Sequence, residues 1–197
     1  MCWSASVSLN TYILSKFACL FAYMNGITPL VTLCFYQSFI CMQLIEYFIW
    51  SKTFSNKILS QIAYIVIILQ PVFALLCLKN KTLKITSMIL YILFIIVYFI
   101  MPWSSVDFRT TVGPNGHLAW HWLKVSLPVI IIWMVFLLLR LVENKDWISL
   151  ILAIILVIIS YILYHKTYTW GSLWCWASAL VSIVLIYNVF KNDFCKP

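Results

Sequence analysis

Charge is scarce in this chain. Asp, Glu, Lys and Arg fill 9% of the 197 positions, and only five residues are acidic. Soluble domains carry about 25% charged and roughly 45–50% apolar residues, whereas 64% of this chain is apolar. With a mean hydropathy of +1.02, no water-bounded core could hide so much hydrocarbon, so the composition argues against a soluble fold and for lipid as the solvent. Several other features are missing. No C-x-x-C occurs among the seven cysteines (Cys2, Cys19, Cys34, Cys41, Cys77, Cys175 and Cys195), which leaves no basis for a disulfide framework. There is no internal repeat and no low-complexity linker, and hence no sign of a separate soluble module. The N-terminus lacks a basic flank and a small-residue cleavage site, so the first helix is expected to be retained and not cleaved as a signal peptide.

What is present is a series of long apolar runs. Backbone polar groups in lipid must be satisfied within the segment, which makes such runs helices. About 20 residues span a bilayer, and runs of that order fall at 5–24, 28–50, 58–78, 84–101, 118–142, 147–164 and 170–190. The expectation is one all-α integral membrane domain over 1–197, a bundle of seven transmembrane helices. Asn25-Gly26, Ser51-Lys52-Thr53, Lys79-Asn80-Lys81 and Glu143-Asn144-Lys145-Asp146 punctuate it. One connection is long, 102–116, and loops of this length are often functional. A helix starting near Asn115 or Gly116 would run on through His117 and His121, with a kink at Pro128.

Basic residues orient the bundle. Lys52, Lys57, Arg109, Lys124 and Lys166 share the side of the N-terminus, and Lys79, Lys81, Lys84, Arg140, Lys145, Lys191 and Lys196 lie opposite. The richer side is expected to be cytoplasmic, giving N-out/C-in. The formal net charge of +8 thus reads as topology and attraction to anionic headgroups, with the lipid bilayer and not nucleic acid as partner. Oligomeric state and the particular membrane are not indicated.

Polar residues inside lipid are costly and mark function or helix contacts. Nearly all of them lie in the first three spans: Asn10, Lys16, Gln37, Gln43, Glu46, Gln61 and Gln70. At about 1.5 Å of rise per residue, Lys16, Gln37 and Gln70 sit roughly 17–20 Å from the N-terminal face, near the midplane. By the same rise Asn10, Gln43, Glu46 and Gln61 lie at roughly 4–10 Å. Gln43, Glu46, Tyr47 and Trp50 recur on one helical face. Glu46 is the one acid within a predicted span. These residues suggest a polar pathway for a cation, proton or small solute, as in a transporter or channel-like protein. The alternative role for the same groups is hydrogen bonding between helices.

A second constellation is histidine-based. His117 and His121, four apart on the expected helix, could bind zinc with Asp107, His165 or Glu46. That arrangement would suit a metal-dependent lipid hydrolase. Interfacial anchoring beside Trp120 and Trp122 is the alternative. A third possibility is a structural or viral membrane component without catalysis. In the seventh span Gly171, Cys175, Ser178 and Ser182 form a small-residue stripe suited to close helix packing. That span has no lysine to form a retinal Schiff base, which sets the chain apart from rhodopsins.

The opening Met1-Cys2-Trp3-Ser4-Ala5, followed by Gln43-x-x-Glu46-x-x-x-Trp50 in the second helix, resembles an uncharacterised family of multi-pass membrane proteins. Its members occur in large DNA viruses and bacteria and open Met-Cys-Trp/Phe-Ser-Ala. The resemblance covers mainly the first two helices and implies a polytopic fold without naming an activity. Bacterial members often carry His before the Gln, where this chain has Met42.

Overall fold

The computed structural model describes residues 4–194, and the side chains of all of these except 172–177, 180, 188 and 192–194. Met1, Cys2 and Trp3 of the opening motif, the Cys175 side chain, and Cys195 and Lys196 therefore lie outside the described residues. Seven α-helices occur among the described residues: α1 Ala5–Met24, α2 Leu30–Ser51, α3 Asn56–Leu76, α4 Lys81–Ile95, α5 Leu127–Glu143, α6 Trp147–Tyr164 and α7 Trp174–Phe194. Five segments are long and apolar enough to cross a membrane: α1, α2, α3, the run 81–105 that continues α4, and 147–167 around α6. α5, with 17 residues, is shorter.

Local chemistry sets several boundaries. The Ser4 hydroxyl accepts from the Val7 amide to cap α1, Asn80 does the same for Leu83 at α4, and Asp146 for Ser149 at α6. Past Ile95 the α4 backbone widens into a π turn over Ile96–Ile100, with the Met101 amide donating to the Ile96 carbonyl. Pro71 lies within α3, which runs on to Leu76.

The expected fifth helix, 118–142, needs correcting. Residues 118–120 are strand, His121–Leu123 make only a single 3₁₀ turn, and α5 begins at Leu127. Thr110–Val112 (β1) and Leu118–Trp120 (β2) instead form an antiparallel hairpin with Thr110 opposite Trp120. The reason is local. Gly113-Pro114-Asn115-Gly116 makes a turn, closed by Gly113 N–H to the His117 carbonyl at 2.7 Å, with Gly116 at φ +75°. β-Branched and aromatic residues flank it and favour extended backbone. Pro128 falls in the first turn of α5 and starts the helix instead of kinking it. Likewise the seventh helix begins at Trp174, after a 3₁₀ turn over Trp170–Leu173.

In the packing, α2 lies between two cores. On one side α1 and α7 pack with it around Cys19, Ala22, Leu33, Ile40, Leu185 and Val189. On the other, α3, α4 and α5 join α2 in a larger core rich in aromatic rings. α6 leans on α5 from outside and buries only Ser160. The hairpin covers the end of the bundle where α1 starts, here termed the N-terminal face.

Candidate functional site

The buried side of α1 is a line of small residues: Ser8, Thr11, Ser15, Ala18, Cys19 and Ala22. Spaced three or four apart, they share one face and let the neighbouring backbones approach closely. Beside this stripe the Lys16 ammonium donates to Gln37 Oε1 of α2 at 2.6 Å. Both side chains are half-buried. One residue on, the carbonyl of Ser38 accepts from Gln70 Nε2 of α3 at 3.4 Å. Lys16, Gln37 and Gln70 thus occupy one level across three helices. Ser8 Oγ, Ser15 Oγ, Gln37 Nε2 and Gln70 Oε1 are buried with no hydrogen-bond partner among the described residues.

Two turns further along α2, Gln43 and Glu46 are each 1% exposed, and both are engaged by neighbours. Tyr47 and Trp50, which share their helical face in the sequence, are half-buried. Two of the seven candidates belong elsewhere. Asn10 is exposed, because it lies about 100° around the helix from Thr11 and the buried stripe. Gln61 turns away from Ser60, Ala63 and Tyr64 of the buried α3 face and lines a surface cleft.

The hairpin is fastened to the start of α3. Asn56 donates to the Thr110 carbonyl at 2.8 Å and accepts from the Thr110 amide at 3.0 Å, while Ser60 and Thr110 share a buried hydroxyl contact of 2.7 Å. Beneath it Tyr64 is the hub of a ring cluster, with Phe99, Trp103, Phe108 and Trp122 all at 5.4–5.7 Å between centroids. Its hydroxyl donates to the Phe99 carbonyl.

The histidines and Asp107 sit in this cap without converging. His121 Nε2 contacts Thr111 Oγ1 at 2.8 Å. His165 Nδ1 lies 2.9 Å from the Tyr161 carbonyl, with its ring stacked on Tyr161. His117 lies edge-on to Tyr164, and burial holds its imidazole below the usual histidine range. Asp107 is held by Arg109, whose hydrogen bond keeps the carboxyl below the ordinary aspartate range. Among the described residues no three His, Cys, Asp or Glu side chains form a metal-holding group. The helical i, i+4 geometry behind the zinc expectation is absent, since the residues between His117 and His121 are strand, whose rise of about 3.3 Å per residue sets positions four apart roughly 13 Å from one another.

Two cavities stand out. An apolar one of about 30 Å³ lies under the hairpin among Met42, Phe99, Trp122 and Trp133. A polar cleft of about 360 Å³ opens on the N-terminal face between α3 and the 103–109 loop. Neither is lined by Lys16, Gln37, Gln43, Glu46 or Gln70.

Comparison with protein-family models, curated proteins and solved structures finds no match to this chain. Its chemistry is therefore read from its own geometry. Two features escape a reading by polar residues alone. The α1 stripe is signalled by small residues at helical spacing, and the Asn56–Ser60–Thr110 anchor by nothing local, because its partners stand 54 and 50 positions apart in the chain.

Proposed function

We propose that the chain is a multi-pass integral membrane protein of seven helices, N-terminus outside and C-terminus inside, that carries a proton, cation or small solute through an occluded polar site on α1–α3. Five membrane-length apolar segments support the membrane reading. So does the outward bareness of α6, where Ile148 is 75% and Ile162 67% exposed, since large apolar surfaces need an apolar partner. The observation that carries the transport reading is Lys16. It stands midway along α1, and its hydrogen-bond partner is a neutral amide. Holding helices together needs no charge, as Gln70 illustrates with its bond to Ser38. An ionisable residue at the centre of a transmembrane helix costs about 2.5–3.5 kcal/mol on insertion scales, a cost that a purely structural contact does not require. Glu46 supplies a buried carboxyl on the adjoining helix. In this reading Glu46 binds or relays the cation and Lys16 acts as a charge gate at mid-depth. Neither described cavity reaches them, so in this reading transport requires the α1–α2 seam to open.

Proteoliposomes containing the full chain provide the test. Proton or cation flux is expected, abolished or reshaped by Glu46→Gln and altered by Lys16→Gln. Flux unchanged in Glu46→Gln removes that residue from the mechanism, and absence of any flux removes the transport reading.

A second reading, a membrane component that packs without transporting, is favoured by one observation. Ser8, Ser15, Ala18, Cys19 and Ala22 are all 0% exposed, a dry contact. Under it, Glu46→Gln changes thermal stability and no flux exists to change.

A further inference from the structure

We propose that the cleft between the start of α3 and the 103–109 loop binds a phosphate group, as the headgroup of a membrane phospholipid or as a soluble phosphate ester. Lys57 and Gln61 are four apart, so they lie one turn above each other on the wall that faces the loop. Neither side chain has a hydrogen-bond or ionic partner among the described residues. On the opposite wall Arg109 is aimed by Asp107: Nε donates to Oδ1 at 2.9 Å and Nη2 to Oδ2 at 2.8 Å. That side-on grip leaves the Nη1 hydrogens uncommitted. With Asp107 occupied by Arg109, the uncompensated charge of the cleft is the Lys57 ammonium, which favours an anion. Lys57 as a point charge and Arg109 as a fork are the two side chains suited to phosphate oxygens.

The cleft is also built to hold its shape. Trp103 and Phe108 line it, 4.7 Å apart between centroids and both packed on Tyr64. The residue after Arg109 is the Thr110 fastened to Asn56 and Ser60. Its volume of about 360 Å³ falls within the roughly 300–1,000 Å³ of small-molecule sites. Just before Trp103 in the chain, Ile100 and Met101 are 55% and 72% exposed, an apolar flank along which acyl chains would descend from a headgroup in the cleft.

Full-length protein in mild detergent tests this by native mass spectrometry with phosphatidylglycerol and, as the control lacking phosphate, diacylglycerol. Calorimetric titration with glycerol 1-phosphate supplies the soluble arm. Phosphatidylglycerol is expected to be retained over diacylglycerol, with about tenfold weaker binding in Lys57→Gln, the size of one charge-assisted hydrogen bond. Arg109→Gln should weaken it at least as much. Lys79→Gln, at the far end of α3, should leave it unchanged. Lys57→Gln breaks no described contact, so its folding is not at issue. Glycerol 1-phosphate binding with the same Lys57 dependence, without lipid preference, assigns the site to a soluble ester. Equal retention of both lipids with no glycerol 1-phosphate binding, or equal losses in Lys57→Gln and Lys79→Gln, overturns the proposal.

Discussion

The two sides of α2 are held together differently. Toward α1 and α7 the contact is made by Ser, Ala, Cys and a few aliphatic residues, with Lys16–Gln37 as its cross-helix bond. Toward α3, α4 and α5 it is made by large rings, among them Tyr64, Tyr91, Phe94, Phe99, Trp122 and Trp133. One side gains from how near the backbones come, the other from how much volume interlocks. The difference teaches where each is vulnerable: enlarging a residue damages the first, and truncating one damages the second.

Four measurements break or sharpen that contrast. The largest effect is expected for Tyr64→Ala, which empties the middle of the ring cluster. A loss of about 3–5 kcal/mol should appear in denaturant unfolding in mild detergent, with Tyr64→Phe losing only about 1 kcal/mol for the bond to Phe99. Next is Ser15→Leu, which should destabilise by about 1–3 kcal/mol through overpacking. Ser15→Ala should be neutral or slightly stabilising, because the hydroxyl has no described partner. If Ser15→Leu were harmless, the close-approach account of the α1 side would fail. Thr110→Val should cost about 1–2 kcal/mol by leaving the Ser60 hydroxyl unpaired, read as faster amide exchange in the hairpin. The smallest effect is at the opposite face. There the Glu143 carboxylate accepts from the Lys79 and Asn80 amides, and bonds from Asn80 and then Lys79 hold it below the usual glutamate range. Because the folded value is depressed, this stabilisation is present above the ordinary glutamate range and disappears as pH falls through the folded value. Glu143→Gln should therefore lower the melting temperature by a few degrees at neutral pH, and the gap should close in acid.

How much of this was legible beforehand follows from what each inference needs. Helix positions need only run length and punctuation, and α1 at Ala5–Met24 and α6 at Trp147–Tyr164 coincide with their apolar runs. Depth needs only the rise per residue, and Lys16 and Gln37, assigned to one level, do meet. Azimuth needs the neighbours, which no single helix specifies, and Asn10 and Gln61 accordingly face away from the group into which depth alone had sorted them. The hairpin is hidden in the sequence for a related reason. His117–Lys124 carries enough apolar character for a helix, and the strand that Leu118–Trp120 forms within it is supported from afar by the Trp120 amide donating to the Tyr168 carbonyl at 3.0 Å. Membrane spans are simple to find because their hydrogen bonds are internal. A cap whose bonds reach across fifty residues is not.

That bond between Trp120 and Tyr168 is one of several stitches between two connections. Asn115 also donates to Thr169 Oγ1 at 2.8 Å, and Lys124 sits 4.9 Å over the Tyr168 ring. A Cβ on Gly113 would come within 2.7 Å of the Thr169 methyl group, so any larger residue there would have to push Thr169 aside. The segment entering α5 and the segment leaving α6 are thereby spliced into a single mechanical part. The α5–α6 pair becomes a closed loop anchored at its free ends, and any displacement of its outlying member would drag the roof of the protein with it.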